Sequence, residues 1–102
     1  MTTGANGNGA YVRWSNGLQV CFGEVYIAAS SGTYTIATWT FPAAFNSEPR
    51  TFATISGGGN LGKTVEVSLY SSPLTGVYVI GRGDAPFDAM YANVFAIGTY
   101  TP

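Results

Sequence analysis

The residues that could do chemistry in this chain are concentrated in one segment, from Gly81 to Asp88. It reads Gly-Arg-Gly-Asp-Ala-Pro-Phe-Asp, and its charged residues are Arg82, Asp84 and Asp88. Two carboxylates are the groups that glycoside hydrolysis uses, but that reaction needs them at a set separation across a cleft, with one pKa raised by burial. A loop containing glycine and proline gives no sign of such surroundings. We therefore interpret it as a solvated or ligand-contacting loop and expect no enzymatic activity.

Other catalytic and metal-binding arrangements are limited by residue types that the chain lacks. The sequence has no histidine and a single cysteine, Cys21. The common zinc sites and the Ser-His-Asp and Cys-His arrangements are therefore excluded, no cofactor is expected, and no intrachain disulfide is possible. Cys21 lies between Val20 and Phe22 in a predicted strand, where a free cysteine usually behaves as a small buried apolar residue.

A second pattern, from Gly57 to Thr64, has the spacing of a phosphate-binding loop. In that motif the loop follows a parallel strand and opens a helix. The residues after Thr64 instead alternate between apolar and polar, as in a strand. We interpret the segment as a flexible connection between strands and do not expect nucleotide binding.

Alternating residues predict that these loops connect β-strands. Asn16-Gly17 lies between two such runs and predicts a two-residue type I′ hairpin with positive φ at both positions. The runs cover residues 10–15, 18–27, 33–41, 50–56, 63–70, 75–80 and 91–100. Six or seven short strands with turn signals between them, and no helical period, predict an all-β fold, an antiparallel β-sandwich.

A corner bounded by proline runs from Trp39 to Pro49, between two of these runs. Pro42 cannot donate to a sheet and fixes its own φ, and Pro49 restricts the residue before it. Phe41 and Phe45 give the corner an apolar underside, which we expect to dock on the core. Trp39 is expected in the core or in packing between subunits.

Composition limits the classes of partner. The chain has 102 residues, which predicts one domain, and 9% of them are charged, against about 25% in an ordinary soluble domain. The formal net charge of −1 and the scattered basic residues exclude a nucleic-acid footprint, and no apolar run approaches the roughly 20 residues of a membrane span. Aromatic residues make up 15% of the chain, and low charge with many aromatics is typical of oligomer interfaces.

The first nine residues consist of Met, Gly, Thr, Asn and Ala. This composition predicts a flexible Gly-rich tail or linker over residues 1–9, followed by the sandwich domain over residues 10–102. The segment lacks the basic and apolar regions of a secretory signal. Its linker-like composition also favours a chain cut from the end of a longer one.

Three ordered segments resemble the carboxy-terminal domains of bacteriophage and prophage tail fibres, the gp53-like group. Residues 11–23, Tyr-Val-Arg-Trp-Ser-Asn-Gly-Leu-Gln-Val-Cys-Phe-Gly, are similar to the opening R-F-x-N/D-G-x-Q-I-C-W-G of that family. Residues 40–49 are similar to its F-P-x-x-F-x-x-x-P corner, and residues 95–100 to its closing A-I-G strand. Trp14 stands where Phe is common and Phe22 where Trp is common, and both exchanges keep an aromatic ring.

The resemblance implies a homotrimeric β-sandwich at the distal tip of a tail fibre, similar in architecture to the H-type lectins, which bind sugars at the edges between subunits. It implies a virion protein, made in the bacterial cytoplasm, that recognises a host receptor. The implied partners are two further copies of the chain, the rest of the fibre, and a bacterial surface polysaccharide or other host receptor. Neither nucleic acid nor membrane insertion is implied.

A sugar site would combine a planar aromatic side chain with a few short polar or charged groups. The candidate ligand-binding residues are Tyr78, Arg82, Asp84, Phe87, Asp88 and Tyr91. One alternative is a module that only trimerises and caps the fibre and binds nothing itself. The least favoured alternative is an enzyme acting on surface polysaccharide, which would need a larger groove than a chain of this length can form.

Overall fold

The computed structural model describes residues 1–57, 63–69, 74–86 and 88–102. The regular elements within these ranges are all β-strands. The strands are β1 (Thr2–Asn6), β2 (Gly9–Arg13), β3 (Leu18–Ile27), β4 (Tyr34–Thr40), β5 (Arg50–Gly57), β6 (Thr64–Leu69), β7 (Gly76–Arg82) and β8 (Met90–Thr99). They form a five-stranded sheet in the order β1-β2-β3-β8-β5 and a three-stranded sheet in the order β4-β7-β6. Within these ranges no helix is long and apolar enough to cross a membrane.

Every strand pairing is antiparallel, and the buried apolar side chains of the two sheets form one cluster. The all-β fold with an antiparallel sandwich, predicted from the sequence, is confirmed. The described residues contain eight strands rather than six or seven, and the additional strand is β1.

Strand β1 lies in the segment whose composition predicts a flexible tail. Thr2–Asn6 pair in register with Gly9–Arg13 of β2. The side-chain amide of Asn6 also donates to the carbonyl oxygen of Pro42 at 3.0 Å. An added Cβ at Gly4 would lie 2.5 Å from the Tyr11 ring, so glycine permits close packing there. The division of the chain at residue 9 stays a prediction.

The hairpin between β2 and β3 is confirmed, but its predicted turn type is wrong. The Gly17 amide donates to the Trp14 carbonyl at 3.0 Å, and the Trp14 amide donates to the Leu18 carbonyl at 2.9 Å. Gly17 has a φ of 94°, and no non-glycine residue of the described chain has a positive φ, Asn16 included. The connection is a turn followed by one left-handed glycine, the common three-residue loop, which requires positive φ only at its last position.

The core lies between the two sheets and is built from alternate residues of the strands that face each other. Its buried apolar side chains are Cys21, Val25 and Ile27 of β3, Trp39, Phe41 and Phe45, Val77 and Val79 of β7, and Met90, Ala92, Val94 and Ala96 of β8. Each large one stabilises the fold by about 1.5–3 kcal/mol on leaving water. The predicted burial of Cys21 and the core position of Trp39 are confirmed.

The proline corner connects the three-stranded sheet to the five-stranded sheet. Its aromatic rings pack edge to face, with centroids 5.1 Å apart both for Trp39 and Phe41 and for Phe41 and Phe45. This is a favourable arrangement of ring quadrupoles. Phe41 and Phe45 are both buried, so the predicted docking of the corner on the core is confirmed.

A buried glutamine holds the corner from the other side. The Gln19 amide nitrogen donates to the carbonyl oxygens of Ala43 and Ala44 at 3.0 and 3.1 Å. Its amide oxygen accepts from Nε of Arg13 at 2.5 Å. A fully buried polar side chain is costly unless it is hydrogen-bonded, and Gln19 meets that requirement through the main chain of the corner.

Candidate binding surface

The outer face of the three-stranded sheet carries a grid of side chains that point away from the core. Successive side chains of a strand point to opposite faces. The residues of these strands shown to pack in or against the core are Ala37, Trp39, Val65, Val67, Val77 and Val79. The strand register places the outward residues in three rows, Tyr34–Arg82–Thr64, Ile36–Ile80–Glu66 and Thr38–Tyr78–Ser68. We call these nine residues the mixed face, because aromatic, aliphatic, hydroxyl and charged groups alternate on it.

Arg82 makes both of the charged contacts described on the mixed face. Its Nε forms an ion pair with Oε1 of Glu66, and the two side chains are 52% and 50% exposed. Its guanidinium carbon lies 5.5 Å from the centroid of the Tyr34 ring. A half-exposed pair contributes only about 0–1 kcal/mol, so these contacts orient the guanidinium without taking it out of water. Arginine has five N–H donors, so donors remain for a ligand.

Asp84 and Asp88 are exposed in the loop that follows β7. The loop is attached by the Gly83 amide, which donates to the Thr33 carbonyl at 2.8 Å. Nζ of Lys63 donates to the main-chain carbonyl of Asp88 at 3.1 Å. Phe87, also predicted in the site, lies outside the described residues.

The sequence predicts that the irregular segment begins at Gly81, and this boundary is wrong. Gly81 and Arg82 are the last residues of β7, paired with both β4 and β6. The partners on both sides extend the strand through a glycine that local sequence rules assign to a loop. Arg82 is therefore held on a strand and not in the loop.

Tyr91 lies on the other side of the molecule. It belongs to β8 in the five-stranded sheet, opposite Tyr26, and the two ring centroids are 5.3 Å apart. The structure thus brings Tyr78 and Arg82 onto one face, places Asp84 and Asp88 in the adjoining loop, and puts Tyr91 on the opposite face of the sandwich.

Tyr34 and Glu66, the two residues of the mixed face that contact the Arg82 guanidinium, are absent from the candidates predicted from the sequence. Alternation already indicates that both point to one side of their strands. Their proximity to Arg82 depends on β4 and β6 both pairing with β7. Sequence spacing does not contain that information.

The outer face of the five-stranded sheet is different, because it is dominated by aromatic rings. Its large exposed aromatic side chains are Phe22, Tyr26, Phe52, Tyr91 and Phe95, which we call the aromatic face. Phe95 pairs with Phe22 on one side and Phe52 on the other. Tyr91 and Phe95 alternate with buried residues along β8, so they share the face that points outward.

An open cleft of about 340 Å³ lies between β3 and β4. It is lined by Gly7, Asn8, Glu24, Val25, Tyr26 and residues 37–40. The indole nitrogen of Trp39 donates to the Asn8 carbonyl at 2.9 Å, and its ring is buried. Trp39 therefore serves the packing of the cleft wall and offers no stacking surface. None of the predicted site residues that the structure describes lines this cleft.

Cys21 has the environment of a structural thiol. Burial raises the pKa of the Cys21 thiol above its ordinary value, although hydrogen bonds with Ala43 and Gln19 and the charge of Arg13 act in the opposite direction. The thiolate is the nucleophilic form. The protonated, buried thiol is therefore unsuited to nucleophilic chemistry.

The fold and its two outer faces define an antiparallel two-sheet β-sandwich with few charges on its outer surfaces. No protein-family profile and no curated relative matches the sequence. Among solved structures, the C-terminal part of the R1 pyocin fibre of P. aeruginosa matches 96% of this chain at 25% identity, with a TM-score of 0.67. An N-truncated R1-type pyocin tail fibre also matches 96% of it, at 24% identity and a TM-score of 0.67. The chain spans 28% of the first structure and 86% of the second.

Proposed function

We propose that this chain is a receptor-binding domain of a tail fibre, assembled as a homotrimer at the distal tip of a phage or phage-tail-like particle. The observation that carries the proposal is the likeness of 96% of the chain to two pyocin fibre structures, at a TM-score of 0.67. The ordered resemblance of three sequence segments to phage tail-fibre domains supports the same class. The chain spans 28% of the first of these structures, so the attachment to a longer fibre is part of the proposal.

The mixed face is the proposed receptor site, and the proposed receptor is a bacterial surface glycan. Tyr34 and Tyr78 offer ring faces for the apolar side of a sugar, and Arg82 offers donors in a planar fork for hydroxyl or acidic groups. Glu66 supplies an acceptor and orients Arg82. A flat, hydrated site of this kind binds weakly, and three linked copies raise the overall affinity by increasing the effective concentration.

Binding without hydrolysis is part of the proposal. Asp84 and Asp88, the acid pair near in sequence, are both exposed in one loop. Glycoside hydrolysis needs two carboxyl groups on opposite sides of a cleft that holds the sugar, and an exposed loop does not form such a cleft. We expect no release of reducing ends when the protein is incubated with host polysaccharide.

The test is binding of the full chain to a glycan array and to host cells. We expect Arg82→Ala and Tyr78→Ala each to lower binding about tenfold, the loss of one good contact. Arg82→Lys should recover part of the binding, because it keeps the charge but not the fork. Thr40→Ala, at the exposed end of β4, is the control and should bind like the wild type. Binding by the Arg82→Ala and Tyr78→Ala double variant that equals the wild type would overturn the site.

A second candidate function is a trimerisation and capping module that binds no receptor. The exposed rings of the aromatic face favour it, because they indicate a surface for assembly. In that case, replacing the domain by an unrelated trimeric cap restores host adsorption of the fibre. Under the receptor-binding proposal the same replacement abolishes adsorption.

A further inference from the structure

We infer that the aromatic face is covered by a second copy of this chain, so that it forms the contact between subunits. The inference rests on the proposed homotrimer and adds which surface holds the copies together. Its starting observation is that Phe22, Tyr26, Phe52, Tyr91 and Phe95 are 39% to 55% exposed.

The rings form a continuous surface. Phe95 lies on β8, between β3 and β5, and pairs directly with Phe22 and Phe52. Neighbouring strands are about 4.8 Å apart, so these three rings form a row about 10 Å long. The Phe52 and Phe95 ring centroids are 6.2 Å apart. Further along the same strands, Tyr26 and Tyr91 form a second contact pair. Phe95 is at the centre of the first row and is the residue expected to lie closest to the neighbouring copy.

The area of the aromatic face fits the centre of a protein interface. An aromatic side chain has about 150–250 Å² of surface, so the exposed fractions leave about 450 Å² of these five side chains in water. A standard interface buries about 800 Å² on each partner, with aromatics enriched and charges depleted at its centre. The aromatic face would supply about half of that area before any surrounding residue is counted.

The charges on this face favour a second copy over an unrelated partner. In the part of the chain described, Glu24 and Arg50 are the charged residues that alternation places among the outward positions of β3, β8 and β5. Arg50 pairs with Ile97 in the row of residues on one side of the rings. Glu24 pairs with Asn93 in the row on the opposite side of the rings. The face therefore carries one charge of each sign with an apolar row between them. In a closed trimer each copy turns the β5 side of this face to the β3 side of the next copy, which brings Arg50 of one copy towards Glu24 of the next.

The experiment measures the mass of the full chain by sedimentation and light scattering over a range of concentrations. We expect a trimer for the wild type. Phe95→Glu and Phe52→Glu should each weaken association about 30-fold or more, the loss expected at an interface hot spot. Ile36→Glu on the mixed face is the matched control, since Ile36 and Phe52 are 54% and 55% exposed. Its mass should equal that of the wild type.

A charge exchange tests the contact between copies without removing any ring. Glu24→Arg and Arg50→Glu should each weaken association several-fold, because each places like charges together, and the double variant should restore it. The Cys21 thiol reports on folding. It is fully buried and should stay unreactive in every variant that remains folded. Phe52→Ser, on the edge strand β5, replaces Phe95→Glu if that variant fails to fold.

Two outcomes separate the inference from the proposal beneath it. A monomeric wild type would overturn the proposed homotrimer and this inference with it. A trimeric wild type whose mass is unchanged in both Phe95→Glu and Phe52→Glu would overturn the inference alone. Receptor binding is measured separately, on the mixed face.

Discussion

The outer faces of the two sheets are both formed by antiparallel strands, yet they differ in how favourably their side chains interact with water. The aromatic face has a row of three rings with single charges beyond it, so leaving water is favourable. On the mixed face, Arg82 is paired with Glu66, both side chains are half exposed, and Thr38, Thr64 and Ser68 add hydroxyl groups, so the face keeps favourable contacts with water. The mixed face can therefore remain exposed to water and bind a hydrated ligand, whereas the aromatic face is better suited to contact with another copy of the chain.

The largest effect expected from this comparison is a concentration-dependent melting temperature. Because association stabilises only the folded chain, a tenfold rise in wild-type concentration should raise the melting temperature by about 4 °C or more. Phe95→Glu should remove the dependence, and Ile36→Glu should keep it. Calorimetry at several concentrations checks this. An equal dependence in all three proteins would show that the two faces do not differ in assembly.

The second effect concerns stability on the mixed face. Arg82→Ala removes an ion pair whose side chains are half exposed, so we expect the free energy of unfolding to fall by less than about 1 kcal/mol. Urea unfolding measures it. With the tenfold loss of glycan binding expected above, this result would identify Arg82 as a binding residue. A loss of several kcal/mol would instead make it a structural residue.

Ionic strength should affect the two faces in opposite ways. Raising it from about 0.1 M to about 1 M shortens the Debye length from about 10 Å to about 3 Å. Binding of an acidic glycan through Arg82 should then weaken several-fold. Association through the rings should be unchanged or stronger, most clearly with sulfate as the anion, and this gain should offset the screening of the Arg50–Glu24 contact. Binding and sedimentation measured in the same buffers check both halves. Association that weakens as much as binding would contradict the assignment of the aromatic face.

The smallest expected effect is a pH dependence of stability that arises from Cys21 in the core and involves neither outer face. Burial raises the pKa of the Cys21 thiol, so the folded chain favours the protonated form. The stability from this group is present below the unfolded pKa of about 8.5 and is lost as the pH rises through the folded value. Urea unfolding of the wild type should therefore become easier above about pH 9, slightly more so than that of Cys21→Ala. Parallel curves for the two proteins would contradict the raised pKa.

The strands and their faces were largely predictable from the sequence, because alternation fixes which side chains share a face. Alternation along β8 places Tyr91 and Phe95 on one side of the strand and Ala92 and Ala96 on the other. Alternation does not say which of the two faces is buried. Here the alanines face the core and the rings face outward, because the opposite sheet and the aromatic corner already fill the interior.

The candidate site was less predictable, because it depends on which sheet each strand joins. Tyr78 and Tyr91 lie on strands that follow each other in the chain, but β7 and β8 belong to different sheets. Tyr34 is distant in sequence from Arg82 and pairs with it directly. These neighbours are set by long-range strand pairing, which residue spacing in the sequence does not predict.

The hydrogen bonds of Gln19 have a consequence for how this domain can change over time. They connect a side chain of one sheet to the main-chain oxygens of Ala43 and Ala44 in the segment that joins it to the other sheet. Every residue type has a main-chain oxygen, so the residue at the exposed position 44 can vary, or carry an engineered label, while the hydrogen bond from Gln19 is kept. The relative position of the two faces is thereby protected from sequence drift at the point where the sheets are connected.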